Sequence, residues 1–410
     1  MSDFKTSLLR GGTILLLAAF GCTPQDESVR TGLENLLDNH LDKVAGENVG
    51  IVTNQTGVDR EGRPIWELLQ SAKGVSVAAV FSPEHGLFGE AAAGDRVEYG
   101  EDKELPPLFS LYGATRKPTP EMLEGIDLLI YDIQDVGARF YTYITTMGLA
   151  MEAAAEADIP VLILDRPNPL GGNLVSGLVL NLDFQTFVGH YPIPSVYGLT
   201  AGELALMIAD RKWINQTPEI EVIPMLGWKR EMRYDQTGLP WFPPSPNIPD
   251  LETAIVYPAT VLIEATNVSE GRGTDRPFRQ IGAPWLDELS RKTRCTVTFS
   301  AVSFTPRSIP GAAPKPKHMG EKCTGVELIV TERTLFRPVE TGIWLLREIS
   351  RLGQEKLKIR ESGLNRLFGS DALWNCLRDR TEPSILIEHM KLMEERFRDL
   401  RQQHFLYHPL

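Results

Sequence analysis

Short apolar runs that end at a charged turn recur along this chain, and they constrain its fold more than any other feature. Three such runs, at residues 75–80, 128–131 and 161–164, are typical of buried strands, and each leads to a Glu or Asp. The carboxyl ends of parallel strands meet at one edge of a sheet, where open α/β sheets place their chemistry. The pattern therefore predicts an enzyme with acids along one rim, acting on a polar, uncharged or sugar-like substrate.

Helical segments alternate with these strands through the first half of the chain. The predicted strands are 48–53, 75–81, 127–133 and 159–165, and the predicted helices are 64–71, 121–124, 145–157 and 200–211. The last helix begins with Thr200 and Glu203 at capping-box spacing. This alternation predicts an α/β fold with a mainly parallel sheet covered by helices on both faces.

A proline-rich connector at residues 238–250 separates this part from the rest. It has five prolines in thirteen residues, which excludes a helix or a central strand. We therefore predict one domain at 31–252 and a second, smaller α+β domain at 253–410. For the second domain the predicted strands are 254–256, 261–264 and 326–331, and the predicted helices are 339–352 and 384–402.

The first 22 residues have the pattern of a signal peptide. Lys5 and Arg10 precede an apolar stretch at 13–20, which is too short to span a membrane and ends near Cys22. A Cys directly after a small residue predicts a lipoprotein signal with a lipid anchor at Cys22, and an ordinary signal peptide cleaved nearby is the alternative. Residues 23–30 would then be a polar tether, and the protein would be exported, to the periplasm or cell envelope.

Several classes of protein are disfavoured by what the sequence lacks. The net charge is −12 and there is no long basic run, so nucleic acid is an unexpected partner. The chain has no GxxxxGK[ST] phosphate loop, no GxSxG serine elbow and no GxGxxG after its first strand. No cofactor is therefore predicted.

The cysteines and histidines do not suggest a metal centre. Cys295, Cys323 and Cys376 lack metal-ligand spacing, and no HExxH motif is present. In an oxidising compartment Cys295 and Cys323 could form a disulfide, and buried free thiols are the alternative. We predict that no metal is bound, although Asp132, Asp135 and Glu270 together could form an oxygen-rich site for a hard cation.

Glu84 and His85 are the strongest catalytic candidates. They follow the predicted strand 75–81 and lie between Pro83 and Gly86, which end it. A Glu at the mouth of a buried sheet can act as a general acid, and the neighbouring His can position it or bind substrate. The alternative is a structural ion pair or a helix cap. Asn54 follows the first strand as a candidate substrate ligand, with a simple polar turn as its alternative.

Two further segments concentrate residues suited to binding a sugar. The first has Asp132, Asp135, Arg139 and Tyr143, because acids and Arg bind hydroxyls or a carboxylate and aromatic rings stack on a sugar face. Core packing of the tyrosines is the alternative. The second has the candidate ligands Asn267, Glu270, Arg272 and Arg276 among glycines that allow the backbone close to a ligand.

The motifs in these segments resemble one family along most of the chain. In order and with the expected spacing they are NQTG at 54–57, FSPEHGLFG at 81–89, DIQDVGARFYTY at 132–143, LDRPNPLGG at 164–172, YGLT at 197–200, PPSPNIP at 243–249, TNVSEGRGT at 266–274, and Lys317-His318. The stretch from about 48 to 330 is similar to the NamZ (YbbC-type) exo-β-N-acetylmuramidases. Ala265 departs from the pattern, because the family usually has Gly there.

The resemblance implies a Rossmann-like domain, a smaller C-terminal domain and a cleft between them. It also implies release of N-acetylmuramic acid from the non-reducing ends of peptidoglycan fragments. The lactyl carboxylate of that sugar calls for an Arg, and among Arg139, Arg272 and Arg276 we favour Arg272 because glycines flank it. Another cell-envelope glycan hydrolase or esterase, and an exported sugar-binding lipoprotein, remain the alternatives.

Overall fold

The computed structural model describes residues 28–92, 94–95, 105–286, 289 and 296–408. The predicted signal peptide, Cys22, most of the predicted tether and Cys295 lie outside these residues. Cys323 and Cys376 are both buried, and the pairing of Cys323 with Cys295 stays a prediction. Within the described ranges, no helix is both long enough and apolar enough to cross a membrane.

A six-stranded parallel sheet forms the first part of the molecule. Its strands are β1 (Asn48–Thr53), β2 (Ser76–Ser82), β3 (Leu108–Ser110), β4 (Leu128–Asp132), β5 (Val161–Leu164) and β6 (Ile220–Ile223). They lie in the order β3-β2-β1-β4-β5-β6, and every neighbouring pair is parallel. The order reverses between β1 and β4, and such a switch point opens a crevice at the carboxyl ends of the strands.

Helices cover both faces of this sheet, as alternating strands and helices require. They are α1 (Gly32–Asn39), α2 (Ile65–Ser71), α3 (Tyr143–Glu156) and α4 (Ala201–Asp210). Side chains alternate along β4: Ile130 packs with α1 and α2, whereas Tyr131 packs with α3 and α4. Thr200 and Glu203 form the predicted capping box of α4.

The second part combines a small antiparallel sheet with a group of helices. Its strands are β7 (Gln280–Ala283), β8 (Val297–Phe304) and β9 (Cys323–Val330), in the order β7-β9-β8. Its helices are α5 (Leu251–Thr260), α6 (Pro338–Gly353), α7 (Glu361–Phe368), α8 (Ala372–Arg378) and α9 (Ser384–Arg401). The predicted fold class, a parallel α/β domain followed by a smaller α+β part, is confirmed.

Some local predictions differ from the structure. Residues 254–256 and 261–264, predicted as strands, lie in α5 and in the 3₁₀ turn that follows it. Asp250 starts α5, since its side chain accepts a hydrogen bond from the Thr253 amide at 2.7 Å. The helix is buried from Thr253 onward, so its apolar residues show no one-sided pattern. The predicted boundary between residues 252 and 253 therefore falls in the first turn of α5.

The two parts share one packed interior. A single apolar cluster includes Ile163 of β5 and Ile343 of α6. Beyond α9 the chain returns to the first sheet, where the Tyr407 hydroxyl donates to Asp165 Oδ2 at 2.7 Å. At the other end, Val29 is buried and the Arg30 amide donates to the Leu226 carbonyl, so residues 28–30 belong to the fold and not to a tether.

Candidate active site

A cavity of about 160 Å³ lies where the two parts of the molecule meet, beside the carboxyl end of β2. Both parts supply side chains to it. Its polar and charged lining residues are Glu84, His85, Thr142, Ser245, Glu264, Arg272 and Arg366, and its aromatic residues are Phe140, Tyr141, Tyr257 and Phe278. This composition, with acids and arginines beside an aromatic wall, is what a sugar-binding site requires.

Glu84 enters the cavity from the turn that ends β2. Its Oε1 accepts a hydrogen bond from the Gly94 amide at 3.1 Å, and its Oε2 accepts one from the Thr142 hydroxyl at 2.8 Å. Burial and then the negative charge of Glu84 raise the pKa of the nearby Tyr112 to about 12. Among the residues that the structure describes, no Lys, Arg or His forms a salt bridge with Glu84. Neutral donors therefore hold the carboxyl group.

His85 is held in one orientation beside Glu84. Its backbone has φ 74°, in the left-handed region that disfavours residues other than glycine. Its ring is buried, and Nδ1 lies 2.7 Å from the Ala91 carbonyl, to which it can only donate a proton. Burial lowers the pKa of His85, more than the charge of Glu84 raises it. At neutral pH the ring is therefore uncharged, with the lone pair on Nε2.

Glu264 is the second carboxylate in the cavity, and a cation is paired with it. Arg272 Nη2 donates to Glu264 Oε1 at 2.8 Å, and Arg272 Nε lies 3.6 Å from Glu270 Oε1. The Arg272 guanidinium also stacks over the Phe278 ring, 5.0 Å from its centroid. Arg272 thus has two carboxylate partners, whereas Glu84 forms no salt bridge within the described ranges.

Lys317 holds the loop that carries these groups. Its ammonium donates to Glu270 Oε2 at 2.8 Å and to the carbonyls of Ile263 and Val268, each at 3.0 Å. His318 Nε2 lies 2.7 Å from the carbonyl of Asn267. The Lys-His pair that sequence analysis singled out therefore shapes the loop and is absent from the cavity lining.

Aromatic rings form one wall of the cavity. The Tyr141 and Tyr257 rings meet edge to face at 6.1 Å, and Tyr257 meets Phe278 in the same way at 4.8 Å. The Tyr141 hydroxyl is buried, and among the described residues the side chains of Ser245 and Tyr143 interact with it in poor hydrogen-bond geometry. Because a poorly satisfied buried hydroxyl is costly, a polar group of a ligand at this wall would satisfy it better.

Four predicted ligands of the 132–143 segment lie in the interior instead of the cavity. Asp132 is fully buried in an ion pair with Arg166. Asp135 accepts hydrogen bonds from the Tyr197 hydroxyl and the Gly137 amide, and burial raises its pKa to about 6. Tyr143 is fully buried and donates to the Pro244 carbonyl. The fourth is Arg139, also fully buried, which donates to four backbone carbonyls.

Three other predicted ligands are also engaged elsewhere. Asn54 is buried and its Oδ1 accepts from the Thr56 amide and hydroxyl, at 2.9 and 2.6 Å. The Asn267 side chain bonds the backbone of residues 356 and 358. Arg276 is half exposed and bonds both oxygens of Glu327. Of the predicted catalytic and substrate-binding residues, Glu84, His85 and Arg272 line the cavity. Glu270 does not line it but forms an ion pair with Arg272.

Sequence reasoning missed most of the cavity's other polar residues. Thr142 lies in the motif at 132–143. That motif was predicted to bind substrate through other residues, and Thr142 was not among them. Ser245 comes from the proline-rich connector, and Glu264 precedes the glycine-rich loop. Arg366 carries no sequence signal, because it lies on a separate short helix near the C-terminus. In the described part of the chain, no three His, Cys, Asp or Glu side chains converge as metal ligands would.

Comparisons with known proteins cover nearly the whole chain. Family models for the N-terminal and C-terminal domains of "Exo-beta-N-acetylmuramidase NamZ" match residues 49–252 and 255–407. The chain is 40% identical over 416 aligned positions to the "Peptidoglycan beta-N-acetylmuramidase NamZ" of Bacillus subtilis (strain 168), covering 98% of each.

Two crystal structures of DUF1343 family proteins from Bacteroides fragilis NCTC 9343 have the same fold. One, at 1.65 Å resolution, superposes with a TM-score of 0.85 and 34% identity, over 94% of this chain and 100% of that one. The other, at 1.30 Å, has a TM-score of 0.76 and 32% identity, over 93% of this chain and 99% of that one.

Proposed function

The chain belongs to the NamZ exo-β-N-acetylmuramidase family, and we propose that it releases N-acetylmuramic acid from the non-reducing ends of peptidoglycan fragments, with Glu84 as the proton donor. One observation carries the assignment of Glu84. It shares the cavity with a second carboxylate, Glu264, and the two have opposite surroundings: neutral donors around Glu84, and a cation beside Glu264.

That contrast matches the chemistry of glycoside hydrolysis. Most glycosidases use one carboxylic acid to protonate the leaving oxygen and one carboxylate to act at the anomeric carbon. When two carboxyl groups have different surroundings, the surroundings indicate which one is the general acid and which one stays ionised. Glu84 suits the acid, because the Thr142 hydroxyl can donate to the ionised carboxylate or accept from the protonated one. Glu264, whose charge Arg272 compensates, suits the carboxylate that stabilises the developing positive charge or activates water.

The remaining cavity residues orient the sugar. Neutral His85 can accept a hydroxyl proton at Nε2, and Ser245 and Tyr141 supply hydroxyls beside an aromatic wall. The cavity volume of about 160 Å³ is below the roughly 300–1,000 Å³ of pockets for drug-sized ligands. A site of this size supports removal of one terminal sugar over binding along a chain.

Glu84→Gln tests the role of Glu84 while keeping its shape. We expect kcat/KM on a β-muraminide with a poor leaving group to fall by about 10²–10⁴, the usual contribution of general acid catalysis. An activated leaving group, such as a dinitrophenolate, needs no proton, so the loss on that substrate should be much smaller. Glu61→Gln, an exposed carboxylate on the surface, is the matched control. A Glu84→Gln enzyme within threefold of wild type on the poor leaving group would remove Glu84 from this role.

We also propose that the enzyme acts outside the cytoplasm, at the cell envelope, held by lipid at Cys22. The signal-peptide pattern of residues 1–22 supports this, and the location matches a substrate found in the cell wall. We propose no nucleic-acid partner, because the net charge is −12 and the sequence has no long basic run.

A further inference from the structure

We infer that Arg366 binds the lactyl carboxylate of N-acetylmuramic acid and thereby makes the site selective for muraminides over glucosaminides. This inference rests on the proposed function, since it names the group that recognises part of that substrate. Muramic acid differs from glucosamine by a lactyl ether on O3, whose carboxylate is ionised at neutral pH. A site that distinguishes the two sugars needs a cation for this anion.

Arg366 is placed to supply that cation. It lies in the last turn of α7, its side chain is exposed, and it lines the same cavity as Glu84 and Glu264. Within the part of the chain that the structure describes, no Asp or Glu forms a salt bridge with it. Of the two described arginines that line the cavity, Arg272 has carboxylate partners and Arg366 has none among the described residues.

The other candidate arginines, Arg272 and Arg276, already form ion pairs with carboxylates of the protein. Arg272, which sequence reasoning favoured for this role, already has Glu264 and Glu270 as partners. Arg276 bonds both oxygens of Glu327 and is absent from the cavity lining. A substrate carboxylate brought to Arg272 would meet two negative charges already in place. The same carboxylate at Arg366 would form a new two-pronged pair, the geometry that a guanidinium prefers.

A buried residue of the first part positions this helix. Arg139 donates to the carbonyls of Leu367 and Phe368, at 3.2 and 2.8 Å, and to those of Leu178 and Ile193. It therefore ties the end of α7 to the first part of the molecule. Gly369 closes the helix with φ 82°, and a Cβ there would lie 2.6 Å from Arg139 Nη2. The backbone beside Arg366 is thereby fixed at the cavity.

The experiment compares ligands that differ in the lactyl charge and by one methyl group. Binding of free N-acetylmuramic acid and of its lactyl methyl ester is measured by calorimetry on wild type, Arg366→Ala and Arg366→Lys. A hydrogen-bonded charge contributes about 1.5–3 kcal/mol, or roughly 10–150-fold in Kd. We expect wild type to prefer the acid by a factor in this range, Arg366→Ala to lose that preference, and Arg366→Lys to keep part of it. Binding of the ester should change little.

The control is Arg378→Ala, which removes an exposed arginine of the neighbouring helix α8 that pairs with Asp379; it should bind both ligands as wild type does. Thermal unfolding shows that each variant is folded. The inference would be overturned if folded Arg366→Ala still preferred the acid, or if it lost affinity for the acid and the ester equally. A wild-type protein that binds the acid no more tightly than the ester would also overturn it. Failure of the proton-donor proposal would be seen in the turnover of Glu84→Gln, and failure of this inference in ligand binding by Arg366→Ala.

Discussion

Arg139 offers a clear test of which physical effect dominates at a buried charge. It is fully buried and forms no salt bridge with an acid in the described part of the chain, and its guanidinium donates to four carbonyls at 2.8–3.2 Å. We consider Arg139→Met, which keeps much of the apolar volume and removes the charge with all four hydrogen bonds. Loss of the bonds would destabilise the protein, whereas loss of the buried charge would stabilise it.

The structure lets the two effects be compared. Burial lowers the pKa of Arg139 to about 9, so the side chain stays charged at pH 7. That is about 3.5 below the pKa of a free Arg, and at about 1.4 kcal/mol per pKa unit the burial costs on the order of 5 kcal/mol. Four hydrogen bonds from a charged donor contribute about 1.5–3 kcal/mol each, or roughly 6–12 kcal/mol together. The hydrogen bonds therefore outweigh the cost of burial.

We expect Arg139→Met to lower the free energy of unfolding by about 1–7 kcal/mol, the difference between the two effects. The Ile193 carbonyl keeps the Leu180 amide as a donor, whereas the other three carbonyls lose the donors that Arg139 supplies. Urea unfolding at pH 7, followed by circular dichroism, measures this as a lower midpoint. Arg378→Met, at an exposed ion pair, should change stability by less than about 1 kcal/mol. An Arg139→Met protein as stable as wild type would show that desolvation dominates and would refute the reasoning.

Two further predictions concern pH and metal ions. Folded Asp135 keeps its proton up to about pH 6, whereas an unfolded Asp releases it near pH 4. The free energy of unfolding should therefore fall by about 2 kcal/mol between pH 4 and pH 6 relative to Asp135→Asn. The same pH dependence of the unfolding free energy in both proteins, measured with urea, would contradict this. Activity should survive EDTA, because Asp132 is paired with Arg166 and Glu270 with Lys317; loss of activity that Mg²⁺ or Ca²⁺ restores would make those acids ligands.

Local patterns were sufficient to predict the framework of the molecule. The apolar runs at 128–131 and 161–164 became β4 and β5, because a strand buried on both faces needs apolar side chains along its whole length. The turn after β2 brought Glu84 and His85 to the cavity, since Pro83 ends the strand where the sheet opens. These strands and this turn depend on residues that are neighbours in the sequence, so the sequence alone is enough to predict them.

Local patterns were not sufficient to show which acids face the cavity. Asp132 lies at the end of β4, a position similar to that of Glu84 after β2. Asp132 nevertheless lies in the interior, where it forms an ion pair with Arg166. Likewise, the apolar residues 254–256 lie in helix α5, whose burial removes the one-sided apolar pattern of a surface helix.

Tertiary structure alone decided how the cavity is completed. Glu264 and Arg366 come from the second part of the chain and meet Glu84 only because the two parts pack around a common interior. Arg139, predicted to bind substrate, instead anchors α7 from within. A side chain's partners are set by the folding of distant segments, and it is the partner that determines whether an acid or an arginine serves as a ligand or as part of the framework.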